Sequence, residues 1–154
     1  MSRAALLSSG WTRVALRWLL LAAALNLVWE IVQLPLYTIY HEASPAEIAF
    51  AVAHCTAGDV LIALATYSLA SVVARDFAWP VHRPGTGTAA AVVAGAAYTA
   101  FSEWLNVSVR GSWAYAQSMP QVWNVGVAPL LQWILVPTLT LYLIRASERA
   151  GAGD

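Results

Sequence analysis

The chain has 154 residues, of which 60% are hydrophobic and only 10% are charged, and its mean hydropathy is +0.62. Charged residues make up about 25% of an ordinary soluble domain, so this composition indicates a membrane protein, and the length suits one domain. The formal net charge is +0, which provides no basic face for a nucleic-acid partner. The absence of lysine excludes a retinal or pyridoxal cofactor held as a Schiff base.

Four apolar stretches are long enough to cross a bilayer core of about 30 Å, which takes about 20 helical residues. They run over residues 14–37, 46–74, 88–107 and 125–144. They predict an all-α fold, a single four-helix transmembrane domain over residues 1–154. The second helix should begin with a capping box, because Ser44 precedes Pro45 and Glu47 follows the serine by three residues.

The arginines predict how these helices are oriented. Three lie before the first span or in its first turn, two lie between the second and third, and two follow the fourth, whereas the two other loops hold only Arg110. By the positive-inside rule, this predicts a multi-pass protein of the bacterial inner membrane with both termini in the cytoplasm. The alternative at the N-terminus is a signal peptide cleaved near Ala22 to Ala24, but apolar residues continue well past that point.

Four ionisable side chains interrupt the apolar stretches: Glu30, His54, Asp59 and Glu103. An ionisable group at membrane depth costs at least about 2.5 kcal/mol, so such residues normally face a protein interior or a wet cavity and mark a functional site. With a rise of about 1.5 Å per residue, all four helices place a polar group at a similar depth. We therefore predict a polar chamber in the outer half of the membrane, with Asp59 at its floor.

The predicted catalytic residues are Glu30, His54 and Glu103. Two carboxyl groups at one depth repel each other if both are ionised, so one should hold a proton or share a cation. The predicted substrate-binding residues are polar or aromatic side chains at the same level or in the outer loop, namely Asn26, Gln33, Asp59, Asn106, Trp113, Tyr115 and Gln132. For the four amides in this set, hydrogen bonding between helices is the favoured alternative to ligand binding.

Tryptophans adjoin the polar residues in three spans, at Trp29, Trp104 and Trp133. The favoured interpretation is an aromatic belt at the lipid headgroups, and the alternative is a cavity wall or a cage for a cation. For Trp18 and Trp79 only the belt is expected. The outer loop, residues 108–124, is predicted to fold back over the chamber as a partial lid, the alternative being a disordered or surface-lying loop.

Small residues predict where helices pack most closely. Ala91, Gly95 and Thr99 recur at a spacing of four, which is typical of a helix in close contact with its neighbours. Gly58 is likewise expected to mark a tight contact between helices.

The sequence narrows the chemistry without naming a cofactor. The cysteine and histidine spacing of a structural zinc site is missing, and His41 and His82 lie in loops on opposite sides, which argues against a haem held by two histidines. A metal site built from Glu30, His54 and Glu103 would take each ligand from a different helix. We therefore predict no metal ligands and leave the cofactor open.

Three functional hypotheses remain. The first, slightly favoured, is a membrane-embedded enzyme that acts on a lipid or apolar small molecule by acid-base catalysis. The second is a small transporter subunit coupled to protons or cations, although many transporters are built from internal repeats and none is visible here. The third is an assembly protein without catalysis. The expected partners are membrane lipids and a hydrophobic small molecule, and oligomerisation is left open.

The last third of the chain resembles small four-helix bacterial inner-membrane proteins of no assigned function. The resemblance rests on Phe101 to Asn106, on Trp113 to Tyr115 followed by Met119 and Pro120, and on Pro129 to Trp133. In size and tryptophan content the chain is similar to tryptophan-rich sensory proteins that bind porphyrins. In its scattered acidic residues it is similar to sterol-isomerase-like four-helix domains. Neither family's motif falls on these residues, so neither supplies site assignments.

Overall fold

Helices account for most of the part of the chain that the computed structural model describes, which is residues 3–151, with side chains for residues 10–151. The α-helices are α1 (Arg3–Gln33), α2 (Ile39–Glu42), α3 (Pro45–Ala74), α4 (Trp79–His82), α5 (Pro84–Glu103) and α6 (Val127–Gly151). A 3-10 turn, Leu34–Leu36, follows α1, and a π-helical segment, Trp104–Arg110, extends α5. Two-residue strands β1 (Gln121–Val122) and β2 (Val125–Gly126) pair as an antiparallel hairpin. The all-α class is as predicted.

Three of the described helices are long and apolar enough to span a membrane: Gly10–Leu36, Pro45–Ala74 and Val127–Gly151. The predicted third span, residues 88–107, covers most of α5, which has 20 residues, and the first four residues of the π-helical segment. This helix is rich in alanine, glycine and threonine rather than leucine and isoleucine, so its hydropathy alone does not place it with the other three.

The start of α3 agrees closely with the prediction. The Ser44 hydroxyl accepts a hydrogen bond from the Glu47 N–H at 3.4 Å, and the Glu47 carboxylate accepts one from the Ser44 N–H at 2.9 Å. This reciprocal capping box satisfies two donors that the first helical turn leaves without partners. It confirms the expected boundary of the second apolar stretch.

The four long helices contact one another in a cyclic order. Helix α3 packs against α1 and α5, and α6 also packs against α1 and α5. Gly87, Ala91, Gly95 and Thr99 form the buried stripe of α5. A Cβ atom added to Gly95 would come within 2.2 Å of the Trp133 ring, so the predicted close packing of this helix is confirmed.

Two tryptophans lie inside the protein at the end where α1 begins and α6 finishes, which we call the lower end. Trp18 is 1% exposed and Trp79 is 0% exposed, and their ring centroids are 4.7 Å apart. Tyr67 packs against both rings. The belt interpretation of Trp18 and Trp79 is therefore wrong: small neighbours, such as Gly87 against Trp79, leave room for the indoles between the helices.

At the opposite, upper end, the segment 111–126 folds back against the connection that follows α1. The Thr38 N–H donates to the Ala114 carbonyl at 3.0 Å, and the Ala116 N–H donates to the Leu36 carbonyl at 2.9 Å. Its hairpin turns through Trp123 and Asn124, both with left-handed φ angles of 51° and 63°. The segment is thus ordered against the helices, as the lid prediction requires.

Candidate active site

A cavity of about 1240 Å³ opens beside α3, and we call it the groove. Its walls come from α3, α5, α6, the end of α1 and the loop at the upper end. The lining residues include Glu30, Gln33, Tyr37, Phe50, His54, Cys55, Gly58, Asp59, Leu61, Thr66, Leu69, Tyr98, Thr99, Glu103, Asn106, Trp113, Gln132 and Trp133. Its volume is somewhat above the range of small-molecule sites, about 300–1,000 Å³.

The groove is long because one face of α3 lines it throughout. Its lining residues on α3 extend from Glu47 to Leu69, and these positions are 22 residues apart (69 − 47) on a helix that rises about 1.5 Å per residue, or about 33 Å. Phe50 and Leu61 on this face are 71% and 68% exposed. The groove is therefore open sideways, and it continues past Asp59, which is not its floor.

An amide–carboxyl cluster forms the inner wall of the groove. The Gln132 amide nitrogen donates to Asp59 at 2.7 Å and to Asn26 at 2.9 Å, and it lies 3.4 Å from Glu30. The Gln33 amide donates to Glu30 at 2.7 Å. One glutamine of α6 thus holds α1 and α3 together, which is the interhelical role that amides commonly take in membranes.

Glu30 and Asp59 both lie against the Gln132 amide nitrogen, at 3.4 Å and 2.7 Å. Two ionised carboxylates that share one neighbour repel each other, so one of the two is expected to hold a proton. Asp59 is 8% exposed, which also opposes its ionisation. The pair can therefore store one proton at the wall of the groove.

Glu103 lies in a different environment, surrounded by hydrogen-bond donors. The Tyr115 hydroxyl donates to its carboxylate at 2.5 Å, and the Trp113 ring N–H lies 3.5 Å away. The Gly126 N–H donates to the Tyr115 oxygen at 2.9 Å, which leaves the phenol proton directed at Glu103. This set of donors suits a charged carboxylate.

Tyr115 remains a donor because of its surroundings. Burial raises the pKa of the Tyr115 phenol above its ordinary value, and the hydrogen bond to Glu103 raises it further. The Tyr115 hydroxyl therefore keeps its proton, and its hydrogen bond to Glu103, at every pH at which an ordinary tyrosine is neutral.

Other predicted site residues lie in the groove without joining these two clusters. His54 is exposed, stacks on Phe50 at 5.8 Å between ring centroids, and has no hydrogen bond to a described residue. Asn106 lines the groove, but its amide bonds within its own helix to Ser102. The catalytic role of His54 stays a prediction, and its ring is not placed as the hydrogen-bond partner of either glutamate.

Several groove residues were not predicted. Tyr37 follows Asn26, Glu30 and Gln33 at helical spacing. The sequence therefore did contain a sign of its place in the groove, because the polar face of α1 continues past the end of the helix.

Gly58 was expected at a tight contact, but a Cβ atom there would meet nothing within 4 Å. That expectation is wrong because Gly58 faces the groove instead of a neighbouring helix.

The groove carries carboxyl groups that no arginine accompanies. No arginine is among the residues placed along it, and aromatic side chains such as Tyr98, Trp113 and Trp133 alternate with apolar ones. Within the described part of the chain, no three histidine, cysteine, aspartate or glutamate side chains are grouped to hold a metal ion. The site is therefore complementary to positive charge and to apolar surface.

The comparisons with known proteins add no family. No protein-family model matches this chain, and no curated protein and no solved structure is significantly similar to it.

Proposed function

We propose that this is a four-span protein of the bacterial inner membrane that binds an apolar molecule from the bilayer in its groove and acts on it by acid-base catalysis. The observation that carries the proposal is the meeting of Glu30, Asp59 and Glu103, from three different helices, on one groove that is open sideways. Acid-base catalysis needs a group that holds a proton and a group that accepts one. The Glu30–Asp59 pair and Glu103 fit these two roles.

The fourth span of this proposal is α5 together with its π-helical extension. Pro84 to Arg110 covers 27 residues (110 − 84 + 1), which at about 1.5 Å per residue is long enough to cross the bilayer core. Contacts of α5 with both α3 and α6 support a place beside the other spans. The arginine distribution supports cytoplasmic termini, which puts the upper end in the periplasm.

Transport through the protein is less well supported. A path to the lower end would have to pass the aromatic cluster of Trp18, Tyr67 and Trp79, whose side chains are all at most 4% exposed. Binding and catalysis need only the sideways opening, which leads to the lipid.

The test is to identify what occupies the groove. Gly58→Leu places a side chain in the open space of the groove, and Gly85→Leu is the matched control because a Cβ atom there also meets nothing within 4 Å but lies outside the groove. We expect mass spectrometry of solvent extracts from the purified protein to find an apolar molecule in the wild type and in Gly85→Leu, and far less of it in Gly58→Leu.

The carboxyl groups are tested separately, in the same extracts. Glu30→Gln and Glu103→Gln should retain the bound molecule but change the ratio of substrate to product, because each replacement keeps the shape of the side chain and removes its acid-base chemistry. The proposal fails if no apolar molecule accompanies the wild type, or if the glutamine variants yield the same extract as the wild type.

A further inference from the structure

A second cavity, of about 610 Å³, opens at the lower end of the protein, and we call it the basal pocket. It lies between the first turns of α1, the connection from α3 to α4 and the last turns of α6. Its volume is within the range of small-molecule sites, about 300–1,000 Å³. Among the described residues, none lines both the basal pocket and the groove, so the two are separate sites.

The basal pocket lies where two apolar helices reach the membrane surface. The apolar part of α1 begins at Gly10, and that of α3 ends at Ala74. Arg13 and Arg75, which line the pocket, are therefore within one turn of the ends of these spans. Lipid head groups surround a membrane protein at this level, so the pocket opens among them.

Two arginines from separate segments, Arg13 and Arg75, supply the positive charge of the basal pocket, and we call them the pocket arginines. Both are exposed, and neither side chain forms a hydrogen bond or an ion pair with any residue that the structure describes. A guanidinium group is always charged and offers five N–H donors in a planar fork that matches a phosphate. The pocket arginines are therefore available to an acidic group that enters between the helices.

The carboxylates that line the basal pocket already have other partners. Glu148 accepts a hydrogen bond from Arg17 at 2.6 Å. Asp76 accepts one from the Ala78 N–H at 2.8 Å, and its other oxygen lies 2.9 Å from the His82 ring nitrogen. The negative charge in the pocket is therefore held by donors other than the pocket arginines.

The whole lower end carries an excess of positive charge. Its described side chains comprise six arginines and two carboxylates, an excess of four charges (6 − 2), namely Arg13, Arg17, Arg75, Arg83, Arg145 and Arg149 against Asp76 and Glu148. Basic pockets between membrane helices attract acidic lipid head groups. A zwitterionic head group gains less from this excess, because its ammonium group is repelled.

Two aromatic rings make the basal pocket suitable for a lipid rather than for a soluble phosphate. Trp11 and Phe77 line it with ring centroids 5.4 Å apart, and they are 39% and 59% exposed. A phospholipid and free phosphate present the same oxyanion to an arginine. Only the lipid also brings glycerol and methylene groups that can cover the exposed rings.

We infer that the basal pocket binds the head group of an anionic phospholipid from the adjacent leaflet, with Arg13 and Arg75 on its phosphodiester and with Trp11 and Phe77 against its glycerol and the first methylenes. This site is independent of the groove and of its chemistry. The bound lipid joins the start of α1 to the α3–α4 connection, so it stabilises the folded protein by linkage.

Lipid binding to the purified protein in detergent tests this inference. Native mass spectrometry measures the affinity for phosphatidylglycerol and for phosphatidylcholine with the same acyl chains. Arg13→Gln and Arg75→Gln should each weaken the binding of phosphatidylglycerol about tenfold. Arg149→Gln is the matched control, because it removes the same charge from an exposed position at the same end but outside the pocket, and it should bind as the wild type does.

Two results of this titration would overturn the inference. Equal affinity of the wild type for the two lipids would show that the pocket does not select an acidic head group. Equal weakening by all three substitutions would show a general attraction to surface charge instead of a site.

Glu148→Gln should have the opposite effect, because it removes a negative charge from the pocket and frees Arg17. We expect it to bind phosphatidylglycerol about fivefold more tightly than the wild type. The Arg17 and Glu148 side chains are 45% and 46% exposed, so loss of their ion pair leaves the fold intact, which circular dichroism checks. Unchanged or weaker binding would contradict the charge argument.

Competition distinguishes the lipid from a soluble phosphate. Inorganic phosphate should displace phosphatidylglycerol no better than sodium chloride at the same ionic strength, and displacement specific to phosphate would overturn the assignment to a lipid. Gly58→Leu, which fills the groove, should bind phosphatidylglycerol as the wild type does. Loss of binding in this variant would place the lipid in the groove, whereas failure at the pocket arginines alone leaves the proposed function of the groove untouched.

Discussion

Two glycines on neighbouring helices should respond in opposite ways to the same substitution. A Cβ atom at Gly95 would lie 2.2 Å and 2.7 Å from two atoms of the Trp133 ring, whereas one at Gly58 would meet nothing within 4 Å. Trp133 is 2% exposed, so its ring has little room to move away. Gly58→Ala should therefore stabilise the protein and Gly95→Ala should destabilise it.

The magnitudes follow from the two contributions. Alanine in a helix interior is about 0.5–1 kcal/mol more favourable than glycine, and this gain applies at both sites. Forcing an extra carbon into a filled core costs about 1–3 kcal/mol, and this cost applies at Gly95 alone. The free energy of unfolding should rise by about 0.5–1 kcal/mol for Gly58→Ala and fall by about 0–2.5 kcal/mol for Gly95→Ala.

Equilibrium unfolding in mixed micelles, with SDS as the denaturant and far-UV circular dichroism as the signal, measures both changes on one scale. The wild type is the reference, and Gly85→Ala is the control for the helix effect outside the groove and outside a tight contact. A Gly95→Ala protein that shows the full helix gain of about 0.5–1 kcal/mol would refute the close α5–α6 contact that positions Glu103. A destabilised Gly58→Ala protein would refute the open space in the groove.

Three further predictions concern polar contacts. Gln132→Leu should lower the free energy of unfolding by about 1–3 kcal/mol, because its carboxyl and amide partners stay buried without a donor; unchanged SDS unfolding would contradict this. Tyr115→Phe should speed proteolysis in the segment 111–120, since the bond that ties the outer loop to Glu103 is lost; an unchanged cleavage rate would count against the lid. Burial opposes ionisation of Asp76, but hydrogen bonds from the Ala78 N–H and His82 hold the pKa of Asp76 below its ordinary value of 3.8. Its stabilisation is therefore present above pH 3.8 and lost as the pH falls through the lower folded-state pKa, and an Asp76→Asn protein should lack this acid-dependent step in thermal unfolding.

Much of the helical framework follows from local sequence. The apolar stretches predict where α1, α3 and α6 lie, and Ser44 with Glu47 predicts the first residue of α3 because a capping box is a contact within one turn. The composition of α5 explains why its assignment as a span is weaker, since alanine and glycine serve close packing more than hydropathy. Helical spacing similarly predicts that Asn26, Glu30 and Gln33 share a face.

Contacts between residues that are far apart in the sequence could not be predicted. Trp18 and Trp79 have the composition and position of belt residues, and only the small partners that face them, such as Gly87, allow the rings to be buried. Gly58 and Gly95 are the same residue type in similar helices, yet one faces a cavity and the other a tryptophan. Which of these applies depends on the packing of a neighbouring helix, and no local spacing encodes it.

Photolabelling tests most directly whether the groove takes up apolar molecules from lipid. A hydrocarbon chain that carries a diazirine is incorporated into vesicles with the protein, activated by light, and the labelled residues are mapped by mass spectrometry. We expect labelling concentrated at Phe50, Leu61 and Leu69 on the groove face of α3. It should exceed that of similarly exposed positions outside the groove, namely Val72 for Phe50 and Leu61 and Val73 for Leu69, and Gly58→Leu should remove the excess. Labelling spread evenly over every exposed apolar residue, with Gly58→Leu equal to the wild type, would contradict it.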